Sequence, residues 1–407
     1  MRLLPSLATL TLPLAAQGWS PPTLATALNT TATDTGGHLS ADGLTAHWSS
    51  FVSGNYEIWS ATRTTRASAW SAPILETALS DASAVDSEPF LCADGLTIYF
   101  ASSRVGTAGS FDIMRATRPT TGSTWGAPTF VTELNSTDPD SAPSLTADEL
   151  EIYFLTTGWG APNPPQNAIA VAKRSSRAVP FGVPTIVAEL STPNTHRDVQ
   201  VSPDGLSILY TEYDSSIARI RVWQAVRTNR SAPFGTPAPR TEFDAVGTSL
   251  GVYSVSVTQD GRDMLLAAGF PAAAGGQELL ESLFDGLVSE GAPGLIDPVR
   301  LHVYDSGSPG SVYALALALG NTGFALGTRT VPIDGDALFV ATLGVGLPPF
   351  SSGFLGNLDA QGAATGILAN PLAALRGLHL YACAFTLVPS APRGVRTISN
   401  PIELELQ

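Results

Sequence analysis

Three observations predict an all-β chain: a five-bladed β-propeller followed by a small β-sandwich. First, a ten-residue pattern recurs: LSADGLTAHW (39–48), LCADGLTIYF (91–100), LTADELEIYF (145–154), VSPDGLSILY (201–210) and VTQDGRDMLL (257–266). Its aspartates, Asp42, Asp94, Asp148, Asp204 and Asp260, stand 52, 54, 56 and 56 residues apart. A near-fixed period of this size marks a repeat architecture. Second, each period holds four strand-like runs, the content of one propeller blade. Third, the last hundred or so residues lose the pattern and show short alternating runs between turn signals, as a sandwich does.

The 407 residues suffice for two or three domains. Charged residues make up only 14%, and the chain holds 38 Gly and 31 Pro, which suits short strands joined by turns. The formal charge of −14 argues against nucleic acid or an anionic membrane as partner. Cys92 and Cys383 fall in different expected domains, so each is read as a buried small hydrophobe rather than half of a disulfide.

In chain order, residues 1–17 carry Arg2, a leucine-rich run to Leu14 and small residues at Ala15 and Ala16. That is the layout of a secretory signal, and it implies a secreted, periplasmic or cell-surface protein with no transmembrane segment in the mature chain. The propeller is expected over residues 18–285. Trp19 to Asn29, WSPPTLATALN, has relatives at Trp70, Trp125, Phe181 and Phe234, each an aromatic, two residues and a proline before an alternating run. These read as outer strands, with proline tolerated at the strand start. In the recurring pattern, Asp-Gly between apolar runs predicts a hairpin with a type I′ turn. Asp148-Glu149 lacks the glycine, so its turn should be strained or of another type. A third strand follows, as in Asp112 to Arg118, and ends in a basic residue at Arg63, Arg118, Arg174 and Arg227. These arginines read as surface or inter-blade pairs worth little if exposed.

The repeats resemble those of the TolB-like (WD-like) β-propeller family: a Pro-Asp-Gly turn, an aromatic-ended strand, Ser-Arg, a Gly-rich turn and Asp-Ile. Val201 to Tyr210 and Leu91 to Ile113 match it best. The resemblance spans about residues 19–285 and implies the propeller and a mostly non-catalytic role. Five anchors give five blades; a six-bladed ring with an unrecognised blade is the alternative. The fifth copy runs out after its third strand, so the run from Trp19 is expected to complete it and close the ring. A linker is expected at 286–296, then the sandwich at 297–407. There Leu380 to Phe385, Pro389 and Ser399 to Leu404 resemble the end of a module of secreted planctomycete proteins, with Cys383 where that module usually has Gln. That resemblance implies a bacterial extracellular setting.

Functional groups are placed by counting back from each anchoring aspartate. Eight back stand Asp34, Asp86, Asp140, His196 and Val252; six back stand Gly36, Glu88, Ala142, Asp198 and Ser254. Equivalent positions ring one mouth of a propeller channel, so Asp34, Asp86, Glu88, Asp140, His196 and Asp198 form the candidate ligand-binding ring. They could hold Ca²⁺ or a water network, or face a basic partner. Alternatively they are turn chemistry, since Asp and Ser bond nearby backbone. No other cofactor and no catalytic residue is indicated. The expected role is binding of a protein, peptide or glycan by a monomer. The alternatives are a glycan-acting hydrolase using two of these carboxylates, or a structural cell-surface module. The five histidines show no metal-ligand spacing, and no nucleophile or nucleotide motif is present.

Overall fold

In a computed structural model the described residues are 18–405, apart from 53, 107, 163–165, 248–249, 270–276, 291–298, 306–307, 327–328, 344–350, 361, 369–377, 390, 392–394 and 400–401. The signal expected at 1–17 lies outside them. The chain divides into two compact units. One is Pro21–Leu283; the other runs from Phe284 onward and takes in Gly18 and Trp19, which pair with Asp285 and Phe284.

In the first unit the described residues form five four-stranded antiparallel sheets. The first is Asp34–Leu39, Thr45–Ser50, Glu57–Thr62 and Ile74–Leu75, with each strand paired to the next. The next three repeat it, their inner strands being Asp86–Leu91, Asp140–Leu145 and His196–Val201. In the fifth, Val252–Val257 pairs with Asp263–Gly269, that strand with Gln277–Glu290, and Thr23–Leu24 is the outer strand, set against Glu281 and Leu280. The N-terminal run therefore completes the sheet built by the last repeat. Each inner strand lies beside the next and the fifth beside the first, a closed circuit around a channel. Tyr99, Phe154 and Tyr210, from the aromatic ends of the second strands, are fully buried in the clusters between and within sheets.

Two local expectations change, on the turn type and on the outer strands, and the strained turn expected at Glu149 is present. Type I′ turns would need positive φ at both Asp and Gly; only the glycine has it, as at Gly43 (φ 70°) and Gly205 (φ 75°). The Gly43 amide donates to the Ser40 carbonyl, and Asp42 Oδ1 accepts from the Leu44 amide, so the Asp caps a four-residue turn that ends in a left-handed glycine. Glu149 takes the same turn at φ 58° without being glycine. The outer strands are two residues long, because after them the chain turns to bury one apolar residue: Leu28, Leu79, Leu134 and Leu190, all with no exposed surface, and Phe243 after the fourth.

The second unit packs two sheets. Val299–Tyr304 pairs with Ala363–Leu368 and with the end of Gln277–Glu290, so residues 286–290 of the expected linker are strand. The other sheet centres on Val312–Ala318 beside His379–Leu387. Leu301 and Val303 of one sheet meet Leu315, Leu317 and Ala382 of the other. The second sheet's far face, with Ala316, Cys383 and Phe385, is covered by Val331, Ile333 and, from the short helix Ala337–Thr342, Phe339. Burial on both faces explains why VYALALALG is an apolar run without polar alternation. Cys92 and Cys383 are both buried free thiols, and burial pushes Cys383 up to about 12.

Candidate functional site: the propeller channel

The inner strand of a blade has one edge facing the channel, so its amides need partners. Side chains of each blade supply them to the next. His38 Nε2 lies 3.1 Å from the Leu91 carbonyl, Glu88 Oε2 accepts from the Ala142 amide (2.7 Å), and Ser144 Oγ from the Val201 amide (3.0 Å). Asp198 Oδ2 accepts from the Val255 amide (2.8 Å), and Gln200 both accepts from and donates to Val257. Ser256 Oγ accepts from the Leu39 amide (3.0 Å), which returns the circuit to the first blade. Pro89 and Pro143, on the channel wall, lack the donor altogether. A carbonyl can only accept, so His38 carries its proton on Nε2 and is neutral; burial lowers its pKa to about 4.

The channel's loop end, where the inner strands begin, encloses a cavity of about 20 Å³ walled by Gly36, Glu88, Pro89, Ala142, Asp198 and Val255 among others. Positions six back from the anchor are thus brought together, and a bulge puts them there. In every inner strand the register slips after the first residues, and Gly36, Glu88 and Ala142 take positive φ (58°, 55° and 48°). Asp198 is half-buried at the wall yet enclosed by the blades. Burial raises its carboxyl to about 8, against the pull of the Val255 amide, and Glu88 adds to the rise. Glu88 is raised as well, by burial.

The positions eight back lie elsewhere. Asp34, Asp86 and Asp140 are fully buried inside their own blades and accept the amides of Thr30, Asp81 and Ser136. Trp48 Nε1 donates to Asp34, and Arg104 Nε to Asp86. Burial raises Asp34 and takes Asp140 to about 6. Their cross-strand partners are Ser50, Ser102 and Thr156, whereas His196 faces Glu212. The fourth blade has thus moved its carboxylate to the neighbouring strand, with His196 Nε2 and Glu212 Oε2 3.3 Å apart. Burial lowers the His196 pKa against the pull of Glu212. In the fifth blade the pair is Val252 and Ala268, both apolar. Among the described residues, no group of three or more His, Cys, Asp or Glu is placed to hold a metal ion.

Solved structures similar to this chain include TolB proteins. TolB from Acinetobacter baumannii is 15% identical, with a TM-score of 0.37 over 64% of this chain and 56% of its own length. A protein from Agrobacterium tumefaciens described as TolB is 16% identical, with a TM-score of 0.37 over 68% and 78%. An α-L-arabinofuranosidase from Lactobacillus brevis is 10% identical, with a TM-score of 0.41 over 65% and 94%. No family model matches the sequence, and no curated protein does.

The terminal arginines, expected as surface or inter-blade pairs, are interior, and Arg63 and Arg227 pair across blades with Asp263 and Glu151. Arg63, Arg174 and Arg227 are nearly inaccessible. Each guanidinium stacks on the aromatic that opens the following run, Trp70, Phe181 or Phe234, at 4.3–4.6 Å, and its Nε donates to the anchor-turn carbonyl of Gly43, Glu149 or Gly205. Arg118 does the same with Trp125 and Gly95. Three residues on, Arg66, Arg177 and Arg230 reach the anchors of the preceding blade, Asp260, Asp94 and Asp148. Sequence reasoning missed this second set, though the spacing Arg-x-x-Arg in three repeats was visible.

Proposed function

We propose that this chain is a secreted, non-catalytic binding protein whose propeller takes a protein partner at the loop end of its channel. One observation carries the reading. The carboxylates of the candidate ring are engaged by amides of the fold itself, while the loops around them leave large apolar side chains exposed. Glu88 and Asp198 join blades, and Asp34, Asp86 and Asp140 fix the loops that precede the inner strands. The channel end encloses only about 20 Å³, room for about one water, which disfavours a sugar ring held between two carboxylates. The leader-like residues 1–17 support secretion, and no helix among the described residues is long and apolar enough to cross a membrane. A Ca²⁺ ion at this end would use Glu88 and Asp198; calorimetric titration of metal-stripped protein tests it.

The test of the main reading places a photo-crosslinking residue at Val105, on a loop-end turn, or at Val183, on the outer rim, in cells that make the protein. A discrete protein adduct from position 105 and none from 183 is expected. Equal labelling from both positions, or turnover of a glycan panel that Glu88→Gln abolishes, would overturn it.

A further inference from the structure

We infer that the outer edge of the fifth sheet, along the strand Gln277–Glu290, is a strand-acceptor surface whose partner is the run Trp19 to Asn29 of a second copy of this chain, exchanged reciprocally between the two. The inference is independent of any partner at the channel. The five outer runs are not held alike. In the first four sheets an arginine at the end of the third strand stacks on the aromatic that opens the run: Arg63 on Trp70, Arg118 on Trp125, Arg174 on Phe181 and Arg227 on Phe234. In the first sheet Thr45 pairs with Thr62, the residue before that arginine; in the fifth its equivalent Asp263 pairs with Leu283. Phe284 therefore stands where the others have arginine, and it meets the Trp19 ring edge-on at 5.5 Å. A second tie is missing as well. Glu133 accepts the Phe181 amide and Glu189 the Phe234 amide, each from the position before a buried leucine; in the N-terminal run that position is Ala27.

Connectivity separates the runs further. The other four are tied on both sides, to their own third strand and to the next inner strand, whereas the N-terminal run joins the propeller only through residues 30–33. Its hold is the pairing of Trp19 with Phe284 and of Thr23 and Leu24 with Glu281 and Leu280, the Asn29 and Ala25 bonds to Leu279, and the buried Leu28. A second copy presents every one of these partners, so exchange loses no contact and costs only the opening and the entropy of association. The ring stays closed when the run leaves, because Ser256 still accepts the Leu39 amide and Arg63 and Arg66 still reach Asp263 and Asp260. The vacated edge would bare the Leu279 backbone and its apolar neighbours, which favours refilling by another run. Pro21 and Pro22 keep part of the detached run extended and lower the cost of ordering it again. Residues 30–33 span at most about 14 Å, so the two copies meet with their fifth sheets edge to edge. Tethering gives the home run an effective concentration of roughly millimolar, so the exchanged form is minor in dilute solution and grows with chain concentration.

The test mixes two full chains, one carrying Leu24→Cys and the other Leu280→Cys, positions that face each other in the ladder. At about 0.1 mM of each in a glutathione redox buffer a disulfide between the two chains is expected, because the bond collects the exchanged form as it arises. Cys92 and Cys383 are buried and take no part. A single chain carrying both substitutions should close the bond within itself, which shows that the geometry suits it. Thr23→Cys with Glu281→Cys, the other facing pair, replaces the first where Leu280→Cys does not fold or the bond does not close. The matched pair Met114→Cys and Phe130→Cys are also ladder partners, but Phe130 lies in a run tied on both sides, so no disulfide between chains is expected there. Absence of the mixed disulfide at the fifth sheet, with the single-chain bond formed, would overturn the exchange. Equal mixed disulfide from the two sheets would overturn it too, since collision or general unfolding would then account for the link.

Discussion

Asp198 and Glu149 are acidic residues in positions that cost free energy, for different reasons. Asp198 is raised to about 8 by burial, so folding favours its protonated form. The stability it contributes is fully present below the unfolded pKa near 3.8 and is lost as pH rises toward 8. Asn at this position still accepts the Val255 amide but does not titrate. The thermal midpoint of Asp198→Asn relative to the parent should therefore climb from pH 5 to pH 8.5 and stay flat below pH 4. His38, whose lowered pKa works in the opposite direction, is common to both proteins and cancels. A difference constant across pH would contradict the assignment. Glu149 holds φ 58°, a left-handed conformation costing a non-glycine residue about 1 kcal/mol. Its carboxylate lies 3.2 Å from both Arg174 and Arg177, and Arg174 is buried. Glu149→Gly relieves the backbone but leaves a buried guanidinium short of its anion, which costs about 3–5 kcal/mol where a pair is truly buried. A net loss of about 2 kcal/mol is expected in denaturant titration; a gain would mean that the ion pairs contribute little.

At the scale of the element, the repeat works as a lock between its own ends. The Asp-Gly turn offers a carbonyl, the third strand ends in Arg, and the next run opens with an aromatic ring; the guanidinium joins all three. The bidentate planar group is what the site needs, so Arg227→Lys should lose the stack on Phe234 and one of the contacts to Gly205 or Glu151. About 2 kcal/mol of destabilisation is expected, with unchanged m-value in urea; loss of less than about 0.5 kcal/mol would reduce the arginine to surface decoration. The pattern of Asp-Gly, aromatic and Arg was legible in the sequence because each is a local signal repeated at fixed distance. Their joining was not, because one side chain reaching across a turn leaves no periodicity of its own. The candidate site divides the same way. Counting back from the anchor found Glu88 and Asp198 on the channel, but eight back gave Asp34, Asp86 and Asp140 inside their blades. The bulge, which rotates the two sets apart, follows from backbone angles at Gly36, Glu88 and Ala142, three residue types with no common sequence signature.

At the scale of the molecule, the outer edge of the fifth sheet is closed by one short contact between the two ends of the propeller sequence, beside the inner-strand and arginine contacts that also join the first and fifth blades. Thr23–Leu24 supplies only two residues of ladder, both exposed. At this outer edge the strand is helped by Asn29, whose side chain accepts from the Leu279 amide (2.7 Å) and donates to its carbonyl (3.0 Å), and by Leu28, buried beside Leu39 and Leu279. The equivalent leucines Leu79, Leu134 and Leu190 join segments already continuous along the chain, whereas Leu28 joins residues some 250 positions apart. Leu28→Ala and Leu134→Ala remove the same buried atoms, so each should cost about 2–5 kcal/mol. Their local consequences should differ. Opening at Leu28 frees the outer edge of the fifth sheet without unfolding the other four, so amide exchange at Leu279 should accelerate far more than the global loss requires. Opening at Leu134 is confined between neighbours that remain joined, and exchange at Ile113, held by Asn135 in the same manner, should follow global stability. Equal acceleration in the two variants would mean that the ring is held by its inner circuit of side-chain bonds, with the N-terminal run a passive cover.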